Sequence, residues 1–126
     1  MLVAMGIVEY GGKVLMRRRT RGAPFAGTWE FPMTPLEFGD TLERAAEQWV
    51  FESSGVRAFS GALAPAFCCR SVPDCRFFPV RMETSSPVLF SSSPNICKWL
   101  NFKELQKVRL SPPTVMYVKQ NKKICF

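Results

Sequence analysis

The sequence predicts a single α/β domain, and three observations carry that reading. An apolar run over Leu2 to Val8 turns through Tyr10-Gly11-Gly12-Lys13 into a second, basic run. Apolar residues at helical spacing then cross positions 41–53 and stop at Gly55. Further apolar stretches at 56–69, 75–83 and 96–102 are separated by turn-forming residues. A chain of 126 residues suits one domain, spanning 1–126, with a core large enough to need no staples.

Leu2 to Val8 reads as a buried strand, and the Gly11-Gly12 pair supplies the tight turn after it. Lys13 to Arg19 is its partner, with Val14 and Met16 facing one side and Leu15 and Arg17 the other. Residues 20–28 form a loop rich in Gly, Ala and Pro, ending at the short apolar run Trp29 to Pro32. Asp40 or Thr41 caps a helix that runs to about Ser53, with Gly55 as its left-handed stop. Leu42, Ala45, Ala46, Trp49, Val50 and Ser53 share one stripe of that helix. Ser71-Val72-Pro73-Asp74 reads as a hairpin turn, and the Ser- and Pro-rich run Ser85 to Asn95 as a loop. Ile96 to Phe102 is a strand, Lys103 to Lys107 a short helix, and Pro112-Pro113 opens a last helix.

Composition narrows the function classes. A formal charge of +7 and a pI near 9.5 favour an anionic partner, nucleotide or nucleic acid, over a neutral one. A generally basic surface gives the same numbers, so a protein partner in a larger assembly stays open. No apolar run approaches the ~20 residues of a membrane span, so no membrane association is expected. Met1 to Gly6 lacks a basic leader and runs into Glu9, as a strand does and a signal peptide does not. Cys68, Cys69, Cys75, Cys97 and Cys125 form no C-x-x-C pair and the chain has no His, which disfavours zinc. An odd cysteine count without a secretory leader points to reduced, mostly buried thiols in a reducing compartment, cytoplasmic or mitochondrial.

The segment from Trp29 to Val56, WEFPMTPLEFGDTLERAAEQWVFESSGV, resembles a Nudix box, G-x5-E-x7-R-E-U-x-E-E-x-G-U with U a bulky aliphatic residue. The frame closes without a gap when Thr34 takes the first Gly, Asp40 the first Glu and Gln48 the Arg. Trp49 then stands for a Glu, Val50 for the aliphatic, Glu52 and Ser53 for the Glu pair, and Gly55-Val56 for the end. Val14 to Arg19 and Trp29 to Thr34 are similar to the V-L-L-x-R-R and W-E-F-P-G-G of MutT-like members. Cys97 to Leu105 is similar to the family's late W-L segment, and Leu110 to Thr114 to the stretch C-terminal to it. The resemblance implies an α/β/α sandwich with a mixed central sheet.

It also implies a chemistry, which the substitutions disturb. The family reaction is water attack on a pyrophosphate bond with a divalent metal, held by glutamates at i, i+3 and i+4 of the box helix. Those positions are Trp49, Glu52 and Ser53, so one carboxylate of three remains. An acidic residue often added from the loop before the late strand corresponds to a position near Ser93. Met33-Thr34 lack the freedom of Gly-Gly. Glu43 and Glu47 fall roughly 140–180° from Glu52 around the helix at about 100° per residue, so they do not converge with it.

These substitutions favour a Nudix-fold nucleotide- or RNA-binding or assembly module without a family-type metal site and with no cofactor. The alternative is a Mg²⁺- or Mn²⁺-dependent nucleoside triphosphate pyrophosphohydrolase with a rewired site, in which Glu52 is the catalytic and metal-binding carboxylate. The resemblance to MutT-like members implies ligand contacts at Arg19, where a side chain reads the purine edge, at Phe31 near the base and at Thr114. Arg17 shares the Arg19 face of the basic strand, and Trp49 offers a stacking face. Plainer alternatives exist: solvated arginines on an edge, and Trp49 filling the vacated site as core.

Overall fold

The computed structural model describes residues 1–90 and 96–121. The Ser93 position, Lys122, Lys123 and Cys125 lie outside the described residues. Eight strands form one sheet: β1 (Leu2–Tyr10), β2 (Lys13–Arg18), β3 (Trp29–Glu30), β4 (Met33–Pro35), β5 (Phe59–Leu63), β6 (Phe67–Cys69), β7 (Val72–Glu83) and β8 (Cys97–Leu100). Among the described residues three helices accompany them: α1 (Leu42–Ser54), α2 (Phe102–Leu105) and α3 (Pro112–Asn121). The central order is β3-β2-β1-β7-β5, with β4 on β1, β6 on β7 and β8 on β2. The β1–β7 pair is parallel, from Leu2 opposite Arg76 to Glu9 opposite Glu83, and the other strand pairs are antiparallel, so the sheet is mixed.

Strand alternation divides the core in two. Val3, Met5, Ile7, Val14, Met16 and Phe77 face α2 and α3, where Leu105 and Tyr117 close one layer. Ala4, Val8, Leu15, Val80 and Met82 face α1, where Ala45, Ala46 and Val50 close the other. The helix comes close because β1 has Gly6 beneath it: a Cβ there would lie 3.0 Å from the Val50 side chain. This is the α/β/α sandwich with a mixed sheet.

Helix α1 begins and ends as the sequence indicates. Thr41 caps it, its hydroxyl accepting from the Arg44 amide at 3.2 Å. Gly55 closes it at φ 84°, its amide donating to the Phe51 carbonyl at 2.8 Å. A Cβ on Gly55 would stand 2.6 Å from the Phe90 ring. Gly55→Val is therefore expected to lose about 2–4 kcal/mol, combining a left-handed β-branched residue with overpacking. Urea melts read this directly, and a loss below about 1 kcal/mol would show that Phe90 swings away.

Two boundaries differ from expectation. The stretch 56–69 is two strands, β5 and β6, parted at Ala64-Pro65-Ala66, and both pair with β7. The hairpin turn is Arg70-Ser71, because Cys69 already faces Val72, and Val72-Pro73-Asp74 belong to β7. The register shifts between Cys68 and Cys69, and such an irregularity accommodates Pro73 in a strand. On α1 the deeply buried serine is Ser54 rather than Ser53.

Candidate functional site

Two cavities meet at the short strand β4. The first, about 290 Å³, is largely apolar: Val3, Pro24, Phe25, Met33, Val72, Cys75 and Phe77 line it, with Arg19, Glu30, Thr34 and Ser111 among its polar groups. The second, about 250 Å³, lies along α1 and is lined by Thr34, Pro35, Glu37, Asp40, Gln48, Trp49 and Glu52. Thr34 and Pro35 line both, so the two read as an apolar end and a polar end of one cleft.

Glu30 anchors the apolar end. It sits opposite Arg17 in the β2–β3 pair, and its side chain is only 6% exposed. Arg19 Nη1 donates to both its oxygens, at 2.9 and 3.2 Å. Burial pushes the Glu30 carboxyl above its ordinary value, while the Arg19 hydrogen bond and charge, the Arg17 charge and the Ser111 hydroxyl all act to lower it. The loop after β2 is stapled to the same arginine: Arg19 Nε donates to the Pro24 carbonyl at 2.5 Å and the Gly27 amide to the Arg19 carbonyl at 3.0 Å. The staple leaves Phe25 at φ 59°, a strained position for an aromatic residue, with its ring partly exposed on the cavity wall.

At the polar end, the Arg17 guanidinium stands 5.4 Å from the centre of the Trp49 ring. Arg17 Nε and Trp49 Nε1 are both buried without a hydrogen-bond partner among the described residues. Gln48 Nε2 donates to Glu52 Oε1 at 2.9 Å. Ser53 turns its hydroxyl back onto the Trp49 carbonyl at 2.7 Å and offers nothing to the cavity. Glu47 points away from Glu52 and accepts from the Ser60 amide and hydroxyl in β5.

These positions can be compared with the candidates from sequence. Arg17, Trp49 and Glu52 come together along α1, and Arg19 lies at the other end across Glu30. Phe31 and Thr114 do not join them at the surface. Phe31 is fully buried edge-on against Tyr117, with ring centres 5.4 Å apart. Thr114 is fully buried with its hydroxyl 2.9 Å from that of Ser111. In this arrangement both support the cleft from below rather than present a face to a ligand. Glu30, Phe25 and Glu37 are lining residues that the sequence patterns do not single out.

A family-type metal site needs convergent hard oxygens. Here position 49 is an indole beneath a guanidinium, position 53 is tied to backbone, and Glu52 already accepts from Gln48. A fixed cation beside the site also opposes a divalent ion. The residues present do not fit that site, and among the described residues no three of His, Cys, Asp and Glu stand together as a metal-holding group.

The Cys97 thiol, across from Arg17 in β8, is pushed up by burial against the lowering effect of Arg17. The described cysteines are free thiols, with Cys69 and Cys97 buried and Cys68 exposed.

No protein-family profile matches the sequence, and no curated protein matches it. Solved structures do. A NUDIX hydrolase from Nitrosomonas europaea superposes with a TM-score of 0.82 at 18% identity, over 97% of this chain and 69% of that one. The NUDIX domain of Shewanella oneidensis NrtR, complexed with ADP ribose, gives 0.70 at 15% identity over 98% and 86%. A bifunctional NMN adenylyltransferase/ADP ribose pyrophosphatase from Francisella tularensis, complexed with AMP and Mn ion, gives 0.76 at 14% identity over 99% and 42%. The fold of this chain is the Nudix fold.

Proposed function

We propose that this Nudix-fold chain is a nucleotide- or RNA-binding module that does not perform metal-dependent pyrophosphate hydrolysis. One observation carries the reading: Arg17 over Trp49 puts a fixed cation and a flat indole where the box frame calls for a carboxylate. The apolar end of the cleft supplies the rest of a base pocket, with Arg19 and Glu30 as edge-reading groups between apolar walls. The solved neighbours with ADP ribose or AMP bound support a nucleotide as the ligand class.

A second reading has its own observation. Glu37, Asp40 and Glu52 line the same polar cavity, so a rewired hydrolase would draw these three around Mg²⁺ or Mn²⁺. A reducing compartment, cytoplasmic or mitochondrial, fits the free thiols, and no described helix is long and apolar enough to cross a membrane. Docking of a protein partner in a larger assembly belongs to the first reading, through the same basic surface.

The deciding test is turnover. Folded protein, incubated with common and oxidised nucleoside triphosphates, dinucleotides and capped RNA, is expected to release no product with either metal. Glu52→Gln is expected to melt within about 0.5 kcal/mol of the parent, since Glu52 is exposed and its side chain bonds to Gln48 alone among the described residues. Turnover in the parent that disappears in Glu52→Gln would establish the hydrolase instead.

A further inference from the structure

The polar end of the cleft is an unfavourable place for phosphates. Glu37, Asp40 and Glu52 line it without a Lys or Arg among the described lining residues, and Arg17 stands beside it over Trp49 against these three carboxylates. The opposite side differs. Beyond Arg19, which lines both, a further cavity of about 420 Å³ is walled by Arg18, Thr20, Arg21, Ala26, Gly27 and Ile96. No carboxylate lines it among the described residues.

The sheet adds to this basic edge. Met16 faces Lys98 in the β2–β8 pair, and the Arg18 amide donates to the Ile96 carbonyl one step further. Arg18 and Lys98 therefore lie diagonally on one face, both against Trp29: Arg18 is its cross-strand partner and Lys98 Nζ sits 5.2 Å from its ring. The backbone of the exposed Arg109 adjoins Trp29, its carbonyl accepting from the Trp29 amide at 2.7 Å, so its cation is anchored close to this edge. Segments 13–29 and 96–121 build this edge and hold most of the Lys and Arg of the chain. Their single carboxylate, Glu104, is occupied by the capping box of α2. Arg18 and Arg21 are exposed and make no ion pair among the described residues.

We propose that the ligand is a single-stranded oligonucleotide whose terminal base enters the apolar end of the cleft and whose phosphodiester backbone leaves over Arg18, Arg21, Lys98 and Arg109. The proposal rests on the cleft reading above and reverses the direction in which the box helix would take phosphates. Charge decides it, because a backbone anion is repelled along α1 and attracted along the β2–β8 edge. A nucleic acid fits better than a compact anion because the cations follow an extended path that begins at a base-sized pocket.

Fluorescence anisotropy with a labelled mixed-sequence 12-nucleotide RNA, over a range of salt, tests it, with unlabelled guanosine monophosphate as competitor. The Arg18→Ala/Arg21→Ala protein is expected to bind at least ten-fold more weakly. Its log–log salt slope should be shallower by about 1.4, two phosphate contacts at ~0.7 each for single strands. Competition by the mononucleotide should persist in both proteins. Parent-like affinity and slope in the double variant, with competition intact, would overturn the edge and leave the cleft reading standing. Weakened binding without any competition would overturn the cleft reading and leave the edge as a separate site. Binding to phosphatidylserine vesicles with none to RNA would overturn the proposal itself.

Discussion

Phe31→Ala is expected to lose about 3–5 kcal/mol of folding stability, the usual cost of deleting a fully buried phenyl group. The ring is completely inaccessible, packs edge-on against Tyr117, and belongs to the core layer that also holds Met5, Met16 and Trp29. Against a typical domain stability of about 5–15 kcal/mol, that loss removes roughly a fifth to all of the margin and unfolds a domain at the low end of the range. Denaturant melts measure it. Phe31→Leu keeps most of the volume and is expected to recover more than half of the loss. The same pair of variants separates support from contact. If Phe31 stacked on a base, Phe31→Leu would melt normally yet bind nucleotide poorly; with Phe31 under the cleft, binding should follow the folded fraction alone.

Arg19→Ala is expected to cost about 2–3 kcal/mol near neutral pH, because it strands a buried carboxylate without its hydrogen-bonding cation. The lower end of the buried-pair range applies since the Arg19 side chain is 27% exposed. The loss should depend on pH, and its sign follows from the direction of the Glu30 shift. Burial raises the folded-state value above the ordinary 4.5, so the native protein holds that proton more tightly than the unfolded chain. Stability from this group is fully present below the ordinary value and falls as pH rises through the raised folded value. Removing Arg19 deletes two of the influences that hold the value down, so the window moves further upward. Arg19→Ala should accordingly be less damaging at pH 5 than at pH 8. Glu30→Gln in the same chain should remove that pH dependence. Equal losses at both pH values, measured by urea melts, would mean that Glu30 finds another partner when Arg19 is gone.

Patterns confined to one element are legible from sequence. Period-two alternation places Val14 and Met16 opposite Leu15, and the structure puts them in different core layers. Thr41 and Gly55 bound α1 because capping is local chemistry between neighbours in the chain. The turn at Arg70-Ser71 is misplaced from sequence because Pro73 reads as a turn signal, whereas an irregular pairing with β6 admits it to a strand. The site is only partly legible for a different reason. Glu30 looks like the polar residue of an apolar run, and its burial against Arg19 depends on how β2, β3 and the loop 20–28 come together. Alternation from Trp29 puts Phe31 on the core side, but its resemblance to a base-contact position points the other way. Glu37 belongs to no periodic pattern and reaches the polar cavity through the turn before α1.

The parallel pairing of β1 with β7 governs when this sheet can come into being. A hairpin cannot join parallel strands, and here the connection runs from the end of β1 at Tyr10 to the start of β7 at Val72. Within this domain the β1–β2 hairpin is made before β7, so its open flank receives β7 in full only after residue 83 has been made, and β8 arrives later still. Loop closure must precede the contacts that reward it, which places such topologies among slower folders. Until β7 is made, the strongly apolar β1 has partners on its β2 and β4 side alone and keeps its other edge open, so completion of the sheet waits on the later half of the domain.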